Sequence, residues 1–315
     1  MATPAVPAVP AAPTTRVAED FVRSGFVAVV GRPNVGKSTL VNQMVGTKVS
    51  ITSSRPNTTR HRILGVLHQP DVQVVFVDTP GLHRPRSVLG ARLNETATSA
   101  LTDVDMILVL VDATAAVGPG DRTVLERSLR EVQRGEDPPK LVVVVNKIDK
   151  ATGDQILERL LSAKAAVEAI FDTESVEYVP VSARSGRGVD ALTAYIVDSL
   201  EEGPPFFPDD VITDTPEALW VAELVREQLL AKTHDELPHS ISCRVTEWDW
   251  PHIRCEIIVE RDSQKGIVIG KGGEVLKAVG TAVRATLPEG AYLDLHVKVE
   301  KHWQDRDEML NRLGY

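Results

Sequence analysis

At 315 residues, with 43% hydrophobic and 25% charged residues, the chain has the composition of a soluble globular protein and the length for two cores. Its formal net charge of −9 argues against polyanion binding by the surface as a whole, so DNA is not expected and any RNA site has to be local. Two cysteines, Cys243 and Cys255, are too few for a disulfide framework, and no apolar run reaches the ~18 residues of a membrane span, so a reduced, cytoplasmic protein is expected.

In chain order, residues 1–20 read as a flexible leader, because Met1 to Pro13 is Ala, Pro and Val without a basic start. Continuous apolar runs then recur at Phe26 to Val30, Val72 to Val77, Met106 to Val111, Leu141 to Val145 and Val176 to Val181, with Ile63 to His68 as an antiparallel edge strand. Helical patterns intervene at Gly36 to Val45, Gly120 to Arg134, Gln155 to Phe171 and Val189 to Leu200. Residues 21–202 therefore predict an α/β domain with a mostly parallel sheet. Gly203-Pro-Pro-Phe-Phe-Pro208 breaks the periodicity and opens a linker over 203–216. Residues 217–315 predict a smaller α+β unit: helix Glu217 to Lys232, strands Ser240 to Trp248 and Ile253 to Glu260, helix Ile267 to Val279, a further helix to Leu287, strand Ala291 to Glu300, and a closing turn or helix Trp303 to Leu313.

The first domain carries the nucleotide chemistry. Gly31-Arg32-Pro33-Asn34-Val35-Gly36-Lys37-Ser38, followed by Thr39, fits G-x-x-x-x-G-K-[ST] after a buried strand and at a helix start. There, backbone N–H groups wrap phosphates, Lys37 neutralises the β- and γ-phosphates, and Ser38 ligates Mg²⁺. Asp78-Thr-Pro-Gly81 follows the next strand. Asp78 is expected in the Mg²⁺ shell and Gly81 to give its N–H to the γ-phosphate. Asn146-Lys147-Ile-Asp149 selects the base: a carboxylate at Asp149 accepts from guanine N1–H and N2–H₂, which adenine lacks. Asn146 ties this loop to the phosphate loop, Lys147 covers the base, and Ser182-Ala183-Arg184 offers the Ala183 N–H to guanine O6.

Ser53 to Arg60 is a polar loop in which Thr59, preferred over Thr58, is the conditional Mg²⁺ ligand. Leu82 stands where many GTPases carry a water-orienting glutamine. Hydrolysis must then lean on other charges or backbone groups, and Asn34 is a candidate to hold K⁺ against the phosphates. Lys37, Asn34, Thr59 and Gly81 form the candidate catalytic set.

In the second unit, Gly270-Lys271-Gly272-Gly273 opens a helix that contains Lys277. Gly-x-x-Gly at a helix start lets a single-stranded RNA backbone approach, with Ile267, Val268 and Ile269 lining the groove for unstacked bases. The loop and its element order resemble a type II K-homology domain. From about Gly25 onward the chain resembles the Era family of GTPases, on the four nucleotide motifs, Asn57-Thr-Thr-Arg-His-Arg62, Asp78-Thr-Pro-Gly-Leu-His83, the Gly-Lys-Gly-Gly loop and Leu313-Gly-Tyr315. That resemblance implies a slow GTPase that binds 16S rRNA and assists 30S subunit assembly, with peripheral contact at the inner face of the cell membrane. The rival reading is a membrane-surface or cell-cycle signalling GTPase whose second domain binds a protein.

Overall fold

In a computed structural model the described residues are 21–134, 137–170, 175–233 and 237–315. The expected leader lies outside them, as does the end of the helix expected to reach Phe171. Most of the apolar runs form strands because they are buried on both faces; the last, at the sheet edge, is only half-buried. In β1 (Val22–Gly31), Val27 and Val29 enter one core while Ala28 and Val30 enter the other. β4 (Met106–Asp112) and β5 (Lys140–Asn146) divide in the same alternating way. Together with β2 (Ile63–Gln69), β3 (Val72–Asp78), β6 (Glu177–Pro180) and the short β7 (Glu202–Gly203), they make a seven-stranded sheet of order β2-β3-β1-β4-β5-β6, with β7 paired to β1. Only β2 and β7 run antiparallel, so the α/β class and the edge strand are as expected.

Helices α1 (Lys37–Val45), α2 (Val88–Ser99), α3 (Pro119–Val132), α4 (Gly153–Glu168) and α5 (Val189–Ser199) cover the two faces. α2 has no counterpart in the sequence reading. Gly90, three threonines or serines in its second half and no acidic first turn give it poor intrinsic propensity. It exists because Leu89, Leu93 and Ala97 bury one stripe and the Ser87 hydroxyl accepts the Gly90 N–H. The linker is laid along the sheet edge: Gln73 accepts the N–H groups of Phe206 and Phe207 and donates to Phe207 O, and Val66 donates to Ile212 O.

The second unit follows with α6 (Glu217–Lys232), α7 (Leu237–Ser240), β8 (Ser242–Asp249), β9 (His252–Val259), α8 (Asp262–Ile269), α9 (Glu274–Arg284), β10 (Tyr292–Val299) and α10 (Asp307–Arg312). β9 lies between antiparallel β8 and parallel β10. The helix expected from Ile267 to Val279 is two helices, broken at Gly270, whose φ of +76 ends α8. Cys243 and Cys255 are free and buried in this core.

The loop 50–62 joins the two units. Arg226 on α6 pairs with Glu223 and donates to Thr58 O, while Glu227 accepts from the Thr52 N–H and from Lys48. Arg60 donates to Ile241 O and lies over the rings of Trp303 and Tyr315, at 5.7 and 5.9 Å from their centroids. Beside it, Leu89 and Leu93 of α2 pack with Ile258, Trp303, Met309, Leu310 and Leu313.

Candidate functional site

The nucleotide-motif loops lie at the C-terminal edge of the large sheet, around the point where β1 sits between β3 and β4. Register puts them level: Val29 pairs with Asp78 and Asp112 with Asn146. The loop between β1 and α1 is closed in by two glycines that have no room for a side chain, its own Gly36 and Gly81 from the loop after β3. A Cβ at Gly36, where φ is +100, would stand 2.3 Å from Asn146 Nδ2, and one at Gly81 would stand 2.6 Å from Pro33 N.

A small cavity of about 50 Å³ is lined by Pro33, Asn34, Gly36, Lys37, Ser38, Thr39, Thr59 and Gly81. Lys37 is buried there, its Nζ 3.2 Å from Arg32 O and 3.4 Å from Gly31 O. Burial pushes its ammonium down to about 8, with Asp78 pulling the other way. That buried cation, beside backbone N–H groups at a helix start, attracts polyphosphate. The hydroxyls of Ser38 and Thr59 lie 2.7 Å apart, and Thr59 Oγ1 is 3.5 Å from Asp78 Oδ2. Burial raises the Asp78 carboxyl; Ser50 donates to Oδ2 at 2.7 Å, and Oδ1 is buried without a hydrogen-bond partner among the described residues. Three hard oxygens with one orphaned carboxylate oxygen among them fit Mg²⁺. Thr58 also borders the cavity, but its hydroxyl donates to Arg55 O.

A groove of about 670 Å³ adjoins this cavity, lined by Asn34, Asn146, Lys147, Asp149, Ala183 and Arg184 on one side and Thr52 to Ser54 on the other. Asn146 does what its position predicts: Nδ2 donates to Val35 O at 2.8 Å. Its Oδ1 accepts the Ala183 N–H at 2.9 Å, so the donor expected for guanine O6 is already engaged within the loops and a base would have to share it. Asp149 is exposed to the groove and accepts from Ser182 Oγ at 2.7 Å through Oδ1 only. Lys147 donates to Asp112 Oδ2 and Asn34 O, both at 2.6 Å, which stretches its stem across the groove floor. Asp112 was not singled out in the sequence; its signal is its place at the end of β4, level with Asn146.

Not every predicted residue faces this site. Arg32 bonds Asp121 on α3 at 2.6 Å, and the Val35 side chain is buried in the core. Val268 is also a correction: it is fully buried among the second unit's apolar residues, because it faces the sheet from α8, and cannot line an RNA groove. Ile267 is exposed and Ile269 half-buried. Gly270 to Gly273 lie between α8 and α9, with Lys271 and Lys277 exposed, on the second unit and apart from the nucleotide loops. The sequence reading places Asn57 and His83 only within the motifs of the family resemblance and gives them no role, though they link the loops after α1 and β3, and it does not single out the Glu223–Arg226 pair.

Leu82 is buried in the core behind α2, so it does not reach the phosphate cavity.

A family model described as 50S ribosome-binding GTPase matches residues 26–147, and one described as KH domain matches residues 236–304. GTPase Era of Mycobacterium avium (strain 104) is 46% identical over 304 residues, covering 93% of this chain and 99% of that protein. GTPase Era of Mycobacterium tuberculosis (strain ATCC 25177 / H37Ra) is 46% identical over 303 residues, covering 93% and 98%. A crystal structure of Era in complex with MgGDPNP and nucleotides 1506–1542 of 16S ribosomal RNA aligns with a TM-score of 0.85 at 38% identity, covering 93% of this chain and 99% of that one. An Aquifex aeolicus Era variant bound to GDP.AlF4- aligns with a TM-score of 0.84 at 38% identity and the same coverage. With the nucleotide loops on one sheet edge, a K-homology unit behind them and this identity sustained along nearly its whole length, the chain belongs to the Era family of GTPases.

Proposed function

We propose that this chain is a GTP-hydrolysing, RNA-binding switch that binds 16S rRNA through Gly270 to Gly273 and assists assembly of the 30S subunit. The observation that carries this reading is the joint. Loop 50–62 lines the phosphate cavity through Thr59 and is held against the second domain by Arg226 and Arg60, so the segment beside the phosphates is in contact with the K-homology unit. The relative solved with MgGDPNP and 16S rRNA nucleotides supports both ligands, and no observation favours the signalling alternative. Asp149 reads guanine, Lys37 and the loop Gly31 to Ser38 hold the phosphates, and Ser38, Thr59 and Asp78 hold Mg²⁺, which would draw charge from the β- and γ-phosphates.

The RNA loop is tested without touching the nucleotide. Gly270 is a poor place for substitution, because a Cβ there would lie 2.6 Å from Val275 Cγ2 and disturb the start of α9. Gly272 and Gly273, at φ +62 and +81, have nothing within 4 Å of an added Cβ, and aspartate tolerates that backbone. Gly272→Asp with Gly273→Asp puts two carboxylates in the path of the RNA phosphates. Affinity for the 3′ segment of 16S rRNA falls about a hundredfold while GTP hydrolysis is unchanged; RNA binding that survives would sink the assignment.

Asn34 donates to Ser54 O at 2.7 Å, which leaves its amide oxygen for a monovalent cation beside the phosphates. GTP hydrolysis is then faster in K⁺ than in Na⁺, and Asn34→Ala removes the difference; equal rates in the two salts would exclude a K⁺ site. The peripheral membrane contact implied by the family resemblance is tested by sedimentation with anionic vesicles; among the described residues no helix is long and apolar enough to cross a membrane.

A further inference from the structure

Leu82 has no polar atom on its side chain and is buried at 3% exposure, so the loop after β3 needs another way to order the ground beside the γ-phosphate. The residue that follows supplies hydrogen bonds in both directions. His83 Nδ1 lies 2.8 Å from Gly81 O, and a carbonyl oxygen only accepts, so Nδ1 carries the proton. In the neutral ring Nε2 is then an acceptor, and it faces Asn57 Nδ2 at 3.5 Å. The Gly81–Leu82 peptide is fixed at both ends: His83 holds its carbonyl, and its N–H donates to Gly31 O at 3.2 Å. His83 is itself anchored to α2, where Asn94 accepts its N–H at 3.2 Å and donates to its C=O at 2.6 Å.

Asn57 completes the arrangement from the other loop. Its backbone is left-handed, at φ 58, and with Nδ2 turned to His83 its Oδ1 is buried with no hydrogen-bond partner among the described residues. Asn57 lines the small phosphate cavity together with Gly81 and Thr59. A buried acceptor left over at that cavity matches the need of a water aligned on the γ-phosphate, which must have its protons directed away from phosphorus.

We propose that His83 is a positioning residue for GTP hydrolysis, holding the Gly81–Leu82 peptide and the Asn57 amide as one unit beside the γ-phosphate in place of a water-orienting glutamine. It acts through Gly81 and Asn57 and does not touch the nucleotide. The proposal rests on the reading of this chain as a GTPase.

The test is kcat and KM for GTP together with GDP affinity in four single variants and one double variant. Asparagine places its Nδ2 where histidine has Nδ1, and glutamine places its amide near the position of Nε2, so the two separate the bond to Gly81 from the bond to Asn57. His83→Ala and His83→Gln lower kcat by about tenfold or more while KM and GDP affinity stay within about threefold. His83→Asn, which keeps the donor to Gly81 O, recovers at least about threefold of that loss. Asn57→Ala also lowers kcat, and adding it to His83→Ala has no further effect, as expected of one unit. The proposal is overturned if His83→Ala keeps kcat within about twofold of the unsubstituted protein. It is equally overturned if the loss falls on KM and GDP affinity, or if His83→Asn is no faster than His83→Gln. An unsubstituted protein that binds GTP without hydrolysing it would instead sink the GTPase reading.

Discussion

Replacing Asp149 by asparagine moves the preference of this chain from GTP to XTP. Guanine presents two donors, N1–H and N2–H₂, to the two carboxylate oxygens. Xanthine keeps N1–H and has a carbonyl in place of the amino group. An asparagine carboxamide offers one acceptor and one donor, so it pairs with xanthine and sets its own N–H₂ against the guanine amino group. Losing a hydrogen bond to a charged group costs about 1.5–3 kcal/mol, and the donor–donor clash adds to it, for a loss in GTP affinity of about a hundredfold to a thousandfold. The structure indicates which way the amide will face. Ser182 Oγ donates to Asp149 Oδ1 at 2.7 Å, and an asparagine oxygen accepts the same bond, so its nitrogen takes the Oδ2 place in the groove. Competition of GTP, XTP and ATP for a fluorescent guanine nucleotide measures the shift; a variant that still prefers GTP over XTP would mean that Asp149 is not what reads the base.

That prediction needed little beyond the sequence, and the reason is chemical. Phosphate wrapping, metal ligation and base reading each demand particular residue types at fixed points after a strand, so Gly31 to Ser38, Asp78, Thr59, Asn146 and Asp149 show as identities. Strands were legible for a related reason. A sheet covered on both faces needs unbroken apolar runs, and β1, β4 and β5 have them. Where position in space decides, the sequence is mute. α2 lacks strong propensity and is held by Ala97, which enters the first domain's core, and by Leu89 and Leu93, which join a cluster with Trp303 and Met309 from the far end of the chain. Val268 reads as one of three apolar neighbours of the RNA loop, yet helix geometry turns it inward and leaves Ile267 at the surface. His83 and Asn57 are ordinary polar loop residues until folding brings them 3.5 Å apart.

α6 is the sharpest instance of such a mismatch. Nothing in the sequence marks its charges Glu223, Arg226 and Glu227 for burial, yet all three are buried together with Val221, Ala222, Leu224, Val225, Leu229 and Leu230. A helix covered all round is not resting on its own sheet alone. Its charged stripe meets loop 50–62, and the burial of ions there has to be answered by partners. Burial works to raise the Glu223 carboxyl, and the Arg226 guanidinium more than offsets it, holding Glu223 below the usual carboxylate range. Arg226 in turn donates to Thr58 O, the carbonyl of the residue just before Thr59.

Arg226→Ala is therefore expected to be the most damaging substitution at the joint. It leaves the Glu223 charge buried without its counter-ion and Thr58 O without this donor, a loss of about 3–5 kcal/mol read as a lower urea midpoint for the second domain. Destabilisation alone would not show that the pair transmits anything. The double replacement Glu223→Leu with Arg226→Met answers this, because exchanging a buried ion pair for apolar side chains of similar volume is often neutral to stability. With the urea midpoint restored, the double variant still lacks the bond to Thr58 O. The difference in 16S rRNA affinity between the protein loaded with a non-hydrolysable GTP analogue and the protein loaded with GDP then shrinks, while nucleotide affinity is kept. If that difference survives in a variant of unsubstituted stability, nucleotide state reaches the RNA loop by the other face of the joint, through α2 and the cluster of Leu89, Leu93, Trp303 and Met309.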